Sequence, residues 1–137
     1  MIYEMDQLPP AKRYNLLASL VTPRPIAWIT TIDEEGRINA APFSFFNVFG
    51  SNPPIVAFAP GNKDRETPKD TARNIRRTGE FVVHMVDEPL AQMMVDTSAS
   101  LPHGESELDK LPLTTVPSEN LSVPRIVEAP VALECSE

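Results

Sequence analysis

The sequence predicts a mainly β domain with short helices, and three observations lead to this interpretation. Three segments have the composition and length of strands, because they are short and rich in β-branched and other apolar residues: 26–32, 55–60 and 80–86. Helical spacing or helix-capping residues occur at 10–20, 67–79 and 87–95. Fifteen prolines against five glycines indicate many rigid turns and interrupted strands.

Length and composition indicate a single globular domain, 1–137, with a sizeable core. A net charge of -7 leaves no broad basic surface, so we expect no nucleic-acid partner. No apolar run approaches the ~20 residues of a membrane helix, and the N-terminus lacks a signal-peptide core. The single cysteine, Cys135, excludes an intrachain disulfide and is compatible with a reducing cytoplasm, where we place the protein.

The first third of the chain predicts a helix followed by a hairpin. Residues 10–20 open on prolines and carry leucines at helical spacing, which predicts a short helix packed on the body of the domain. Residues 26–32 alternate as a strand, and 33–36 turn the chain into a second arm. Because proline cannot donate a ladder hydrogen bond, Pro42 marks an edge, a bulge or the end of the pairing.

The remainder alternates strands with irregular segments. Residues 45–54 are aromatic and then turn-like, with no strand predicted, whereas 55–60 is a continuously apolar strand. After the strand at 80–86, the 87–95 helix has Leu90, Met93 and Met94 on one face, which favours a core role.

The C-terminal part begins with a long polar stretch. Residues 96–117 are irregular, with one helical turn around 105–110, and a loop of that length is often functional. Residues 123–137 resume strand character. The chain stops inside this last predicted strand, so we expect that a continuation has been lost.

The stretch from 60 to 79 concentrates basic charge at a predicted helix start. It contains six of the twelve lysines and arginines. Thr67 is the predicted N-cap, Pro68 suits the first helical position, Asp70 suits a capping box and Gly79 ends the helix.

This helix start is a candidate anion site. The first N–H groups of a helix lack intrahelical partners and carry partial positive charge, so they attract phosphate. Arg65 and Lys69 add full charges. A solvated surface helix with ordinary caps remains the alternative interpretation.

Several familiar sites are absent from the sequence. It has no Gly-x-Gly-x-x-Gly turn, no Gly-Lys-Ser/Thr phosphate loop and no Gly-x-Ser-x-Gly elbow. Two histidines and one cysteine are too few for a structural zinc site, so we expect no metal. We interpret His84, in an apolar strand, as a hydrogen-bonded core or edge residue. The phenylalanines of 43–49 are core residues or a wall for a flat ligand, with Ser44 and Asn47 as polar contacts.

Four ordered segments give the chain a family resemblance: PRPIAWITT, NAAPFSFFN, NPPIVAF and KDTARNIRRTGEFVVH. Their order resembles the flavin reductase-like proteins of the FMN-binding split barrel, which include flavoredoxin and the reductase components of two-component monooxygenases. SELDKLPLTTVPS and VPRIVEAPVALEC extend the resemblance from Leu16 to Cys135. It implies a split β-barrel, here with its last strands missing, that holds FMN in a shallow cleft, commonly at a homodimer interface.

The resemblance also implies which residues bind the cofactor. Lys69, Asp70 and Thr71 match the family's lysine–aspartate–threonine motif near the phosphate, and Arg65 and Thr67 precede it. The family segment that lies along the flavin corresponds here to Asn39, Ser44, Phe45, Phe46 and Asn47. The aromatic position near the flavin ring corresponds to Trp28.

The implied activity is that of an FMN-dependent oxidoreductase. NADH or NADPH would reduce the flavin, which passes electrons to an acceptor such as a partner monooxygenase, and no dedicated protein acid or base is required. Two alternatives stay open at this point. One is a non-catalytic FMN-binding module or flavin carrier, and the other is a dimeric structural protein whose aromatic segment is an interface.

Overall fold

The computed structural model describes residues 2–64, 66–99, 101–102 and 105–137, and its architecture is mainly β with short helices. The helices are α1 (Pro10–Leu20), α2 (Asp70–Thr78) and α3 (Ala91–Asp96). The longer strands are β1 (Ala27–Ile32), β2 (Ile38–Phe43), β3 (Phe46–Ser51), β4 (Pro54–Phe58), β5 (Glu80–Met85) and β8 (Val131–Ser136). Two short strands are β6 (Thr115–Val116) and β7 (Arg125–Ile126).

The main sheet has four antiparallel strands in the order β2-β1-β5-β8. β1 is covered on both faces because its alternating side chains enter two different core clusters. Ala27 and Ile29 pack with Phe43, while Trp28 packs on the other face with Met94. β2 forms one edge of this sheet, which confirms that Pro42 lies on an edge strand.

Two hairpins, β3–β4 and β6–β7, lie outside the main sheet. Among the described residues the three sheets do not join into a closed barrel. The prediction of an aromatic and then turn-like segment at 45–54 is wrong for β3, which pairs with β4 from Phe46↔Phe58 to Ser51↔Pro54. Composition alone misses this strand because its stability comes from the partner strand, with a register shift between Val48 and Gly50.

The other predicted helices and strands are confirmed, including the turn where Gly36 has a φ of 78°. The packing of α1 is different from the prediction. Its apolar residues are largely exposed, with Leu20 at 69% and the following Val21 at 59%. The apolar strand β4 is likewise mostly exposed rather than buried.

The start of α2 also differs from the prediction. Lys69, not Thr67, is its N-cap residue. Asp64 Oδ1 accepts hydrogen bonds from the backbone N–H groups of Glu66 and Thr67, at 2.9 and 2.8 Å. These bonds keep the chain in a tight loop up to Pro68, so the helix begins later. The predicted end is confirmed, because Gly79 has a φ of 69° and its N–H donates to Ile75.

Candidate functional site

A polar cleft of about 430 Å³ opens where α2 begins. Its floor is the edge strand β2, and the opposite side is formed by the described residues 97–99, 101–102 and 105–107, called here the cleft wall. The described lining residues come from β2, from the loop before α2 and its first turn, and from the cleft wall. They are Asn39, Ala41, Pro42, Phe43, Asn62, Lys63, Lys69, Asp70, Thr71, Thr97, Ser98, Ala99, Leu101, Pro102, Glu105 and Glu107.

Two buried side-chain hydrogen bonds position α2 over this cleft. Asn39 Nδ2 donates to Thr71 Oγ1 at 2.9 Å, and Asn74 Nδ2 donates to Thr31 Oγ1 at 3.0 Å. Thr71 and Asn74 are the buried residues of α2, so its polar face points inward. Because buried polar groups are costly unless they are paired, these bonds fix the helix against the sheet in one orientation.

Among the described lining residues of the cleft, one cation is not paired with a carboxylate. Lys63 Nζ lies 2.6 Å from Asp70 Oδ2, so these two charges offset each other. Lys69 Nζ lies instead 5.4 Å from the centre of the Phe43 ring, and among the described residues it has no ion-pair partner. A lysine at the N-terminal end of a helix favours a bound anion.

The cleft wall is tied to the main sheet at both ends. Trp28 Nε1 donates to Thr97 Oγ1 at 2.9 Å. At the other end, Ser106 Oγ donates to the Ile38 carbonyl and the Ala40 N–H donates to Glu107 Oε2. Burial raises the pKa of the Glu107 carboxyl, and the nearby charge of Asp70 raises it further.

A second cavity, the apolar groove, has a volume of about 560 Å³ and lies beyond the end of β2. Tyr14 stacks on Phe45 with ring centres 5.4 Å apart, and the Arg24 guanidinium lies 5.4 Å from the centre of the Phe45 ring. Arg24 also donates to the Ala18 carbonyl near the end of α1. The groove is lined by Leu17, Val21, Pro23, Arg24, Pro25, Phe45, Phe46, Asn47, Phe49, Ala57, Phe58 and Ala59.

The structure divides the residues that the resemblance implies. The polar cleft includes Asn39, Lys69, Asp70 and Thr71, and the apolar groove includes Phe45, Phe46 and Asn47.

Three of the implied residues that the structure describes belong to neither lining. Ser44 accepts a hydrogen bond from Arg24 Nε at 3.4 Å. Trp28 is fully buried. Thr67 sits in the loop before α2, while Arg65 lies outside the described residues.

Sequence reasoning did not single out the residues of the cleft wall. Thr97 and Glu107 contact strands β1 and β2, more than sixty residues earlier in the chain. The available signal was the length and polarity of the 96–117 stretch, which indicates a functional loop without saying what it contacts.

His84 lies beneath the cleft and outside its lining. It is fully buried, and its Nε2 accepts a hydrogen bond from the Ile126 N–H at 2.9 Å. Nδ1 therefore carries the proton and donates to the Trp28 carbonyl at 3.1 Å. Burial lowers the pKa of His84 to about 4, so the ring is neutral at pH 7. The interpretation as a hydrogen-bonded core histidine is confirmed.

Comparison with known proteins identifies solved structures with the same fold. Nitrilotriacetate monooxygenase component B from Bacillus cereus has a TM-score of 0.92 at 37% identity, covering 99% of this chain and 67% of that chain. For 2-nitrobenzoate 2-nitroreductase NbaA of Pseudomonas fluorescens the TM-score is 0.84 at 38% identity, and the match covers 99% of this chain and 64% of that chain. Similarity to solved structures also confirms the predicted split-barrel fold.

Sequence comparison agrees with the structural one. An uncharacterized protein of Halalkalibacterium halodurans, BH2278, is 48% identical over 130 residues, which cover 95% of this chain. The chain spans 62% of the length of that relative. Residues 19–136 match the family model described as a flavin reductase like domain. Because that match covers most of the chain, the protein belongs to the flavin reductase-like family.

Proposed function

We propose that this chain carries the flavin site of an FMN-dependent oxidoreductase that takes electrons from NADH or NADPH. An acceptor or a partner protein, such as a monooxygenase, receives them. The polar cleft at the start of α2 is the observation that carries this proposal, because a family member needs a place for the cofactor phosphate. The similarity to a monooxygenase component supports a partner of that class.

The size and charge of the cleft fit a phosphate-bearing ligand. A volume of about 430 Å³ lies within the usual range of ~300–1,000 Å³ for small-molecule sites. With Lys63 paired to Asp70, Lys69 is the described lysine of the cleft that remains for the phosphate, and it lies at the positive end of the α2 dipole. One lysine and one helix start match a monophosphate better than an extended polyphosphate, which favours FMN.

The remaining residues offer hydrogen bonds and aromatic surface. Asn39 and Thr71 bond to each other, yet the amide oxygen and the hydroxyl proton retain further capacity. Phe43 lines the polar cleft and Phe45 lines the apolar groove, and two residues of chain span at most about 7 Å. A ligand as long as FMN can therefore contact both cavities.

When bound, the flavin supplies the redox chemistry by accepting hydride from the reduced nicotinamide. The protein residues bind the phosphate, orient the ring and keep water from it. No proton transfer by His84 is needed, since both of its ring nitrogens are already hydrogen-bonded in the core.

A second copy of the chain is the proposed partner at the apolar groove. The exposed apolar side chains that line the groove include Phe49 at 71%, Val21 at 59% and Leu17 at 39%. Monomeric proteins rarely leave contiguous apolar surface of this kind uncovered. Covering it would produce the homodimer that the resemblance implies.

The visible absorption spectrum of the purified complete protein tests the proposed function. We expect a yellow protein, or one that turns yellow and quenches flavin fluorescence when FMN is added. Anaerobic addition of NADH or NADPH should then bleach the oxidised flavin band. A complete protein that neither holds nor takes up FMN would refute the proposal. Flavin binding without nicotinamide oxidation would instead indicate a flavin carrier.

A further inference from the structure

We infer that Trp28 sets the width of the polar cleft by holding the cleft wall, and so controls flavin affinity without touching the flavin. This inference rests on the proposed function. It assigns Trp28 a positioning role in place of the ring contact that the resemblance implies.

The first observation is the position of the indole. Trp28 is 0% exposed and lies on the central strand β1, where it pairs with Pro42 on one side and His84 on the other. It is absent from the described linings of both cavities. A side chain in this position reaches a ligand only through another residue.

The second observation is the hydrogen bond that leaves the core. Trp28 Nε1 donates to Thr97 Oγ1, and the Thr97 hydroxyl donates in turn to the Met94 carbonyl at 2.7 Å. Thr97 is buried, ends α3 and lines the polar cleft. The indole therefore fixes the first residue of the cleft wall, through a chain of two bonds that orients its hydroxyl.

The third observation concerns the apolar face of the indole. Trp28 shares one buried cluster with Met94 and Leu108, which flank the cleft wall on its two sides in the sequence. Ala40, whose N–H is bonded to Glu107, belongs to the same cluster. One side chain thus supports the wall where it starts and where it returns to the sheet.

The described residues of the wall make further contacts that are local. Their backbone hydrogen bonds span three or four positions, such as Thr97 to Met93 and Glu105 to Pro102. The Glu105–Lys110 ion pair is also local and exposed. Contacts between the two described ends of the wall and the sheet are made by Trp28 with Thr97 and by Ala40 with Glu107, and the cluster that contains Trp28 reaches both ends.

The test uses Trp28→Phe, Thr97→Val and the double variant of the complete protein, titrated with FMN by calorimetry. Each single change removes the same hydrogen bond, and we expect each to weaken FMN binding about fivefold. Because both changes remove the same hydrogen bond, their effects should not add. The double variant should therefore have about the FMN affinity of the single variant that binds FMN less tightly. At saturation, the absorption bands of FMN bound to Trp28→Phe should match those of the wild type.

The matched control is Phe81→Leu, a buried change in the other core cluster. It should lower the unfolding free energy, measured in urea, and leave FMN affinity unchanged. If Trp28→Phe does not fold, Thr97→Val decides the question alone. Unchanged affinity in Thr97→Val would overturn the inference while leaving flavin binding by the wild type intact. A wild type that binds no FMN would refute the proposed function, and this inference with it.

Discussion

The polar cleft and the apolar groove lie on either side of the end of β2, yet they are built in different ways. In the cleft, helix and wall are held by buried side-chain hydrogen bonds, such as Asn39 to Thr71 and Trp28 to Thr97. In the groove, α1 is held by the stack of Tyr14 on Phe45 and by Arg24, which lies against the same ring and donates to the Ala18 carbonyl.

The difference suits two kinds of recognition. Hydrogen bonds are directional, so a cleft built from them presents charges and donors at fixed positions, as a small charged ligand requires. Apolar contact is non-directional and grows with the area buried, so a groove with exposed rings suits association with a large surface. Four predictions test whether the cleft and the groove have these two different roles.

The largest effect is expected from Phe49→Asp at the groove. Burying a phenylalanine contributes about 1.5–3 kcal/mol, and a symmetric dimer contains the residue twice, so the dimer dissociation constant should rise about a hundredfold or more. Sedimentation equilibrium over a concentration series measures this constant. Val95→Asp, at an apolar residue of α3 that is 52% exposed, serves as the control. An unchanged assembly in Phe49→Asp would mean that the groove is not the interface.

Lys69→Ala comes next and acts at the cleft. Loss of a charged hydrogen-bond partner of a phosphate costs about 1.5–3 kcal/mol, so FMN binding should weaken about ten- to a hundredfold. Quenching of flavin fluorescence gives the dissociation constant. Lys12→Ala, on the exposed side of α1, removes the same charge elsewhere and should bind FMN normally. Equal FMN affinity in both variants would mean that the phosphate does not bind in this cleft.

Lowering the pH should reduce the free energy of unfolding through His84. Its folded pKa of about 4 lies below the ordinary 6.5, so below pH 6.5 the unfolded chain binds a proton that the folded chain does not. Stability is therefore lost as the pH falls from 6.5 towards 4, by about 2 kcal/mol between pH 8 and pH 5. Urea unfolding of wild type and His84→Gln at both pH values should show a smaller loss in the variant. Parallel losses would show that His84 is not the titrating group.

Glu107→Gln should have the smallest effect. The amide oxygen still accepts from the Ala40 N–H, while a negative charge beside the proposed phosphate position disappears. FMN should bind about two- to threefold more tightly at neutral pH, and added salt should reduce the gain. Calorimetric titration compares it with Glu119→Gln, an exposed residue outside the cleft lining. Weaker binding in Glu107→Gln would indicate that the carboxylate itself contacts the ligand.

The strands and helices were predictable where the signal is local. The alternation in β1, the composition of β5 and Gly79 at the end of α2 each depend on a few neighbouring residues. β3 was missed because its partner strand decides it. Thr67 was a plausible N-cap, but Asp64 holds the N–H groups of Glu66 and Thr67 in a loop and the helix begins only at Asp70.

The sequence by itself determined the β-rich class, the basic entrance to α2 and, through the order of its motifs, the family. Only the tertiary structure decided that Trp28 lies in the core and that Phe43 and Phe45 serve different cavities. It alone also joined the cleft wall to β1 and β2. The physical reason is range: periodicity and capping act over a few residues, whereas the Trp28–Thr97 bond joins groups 69 positions apart. Such pairings exist only once the whole chain has packed.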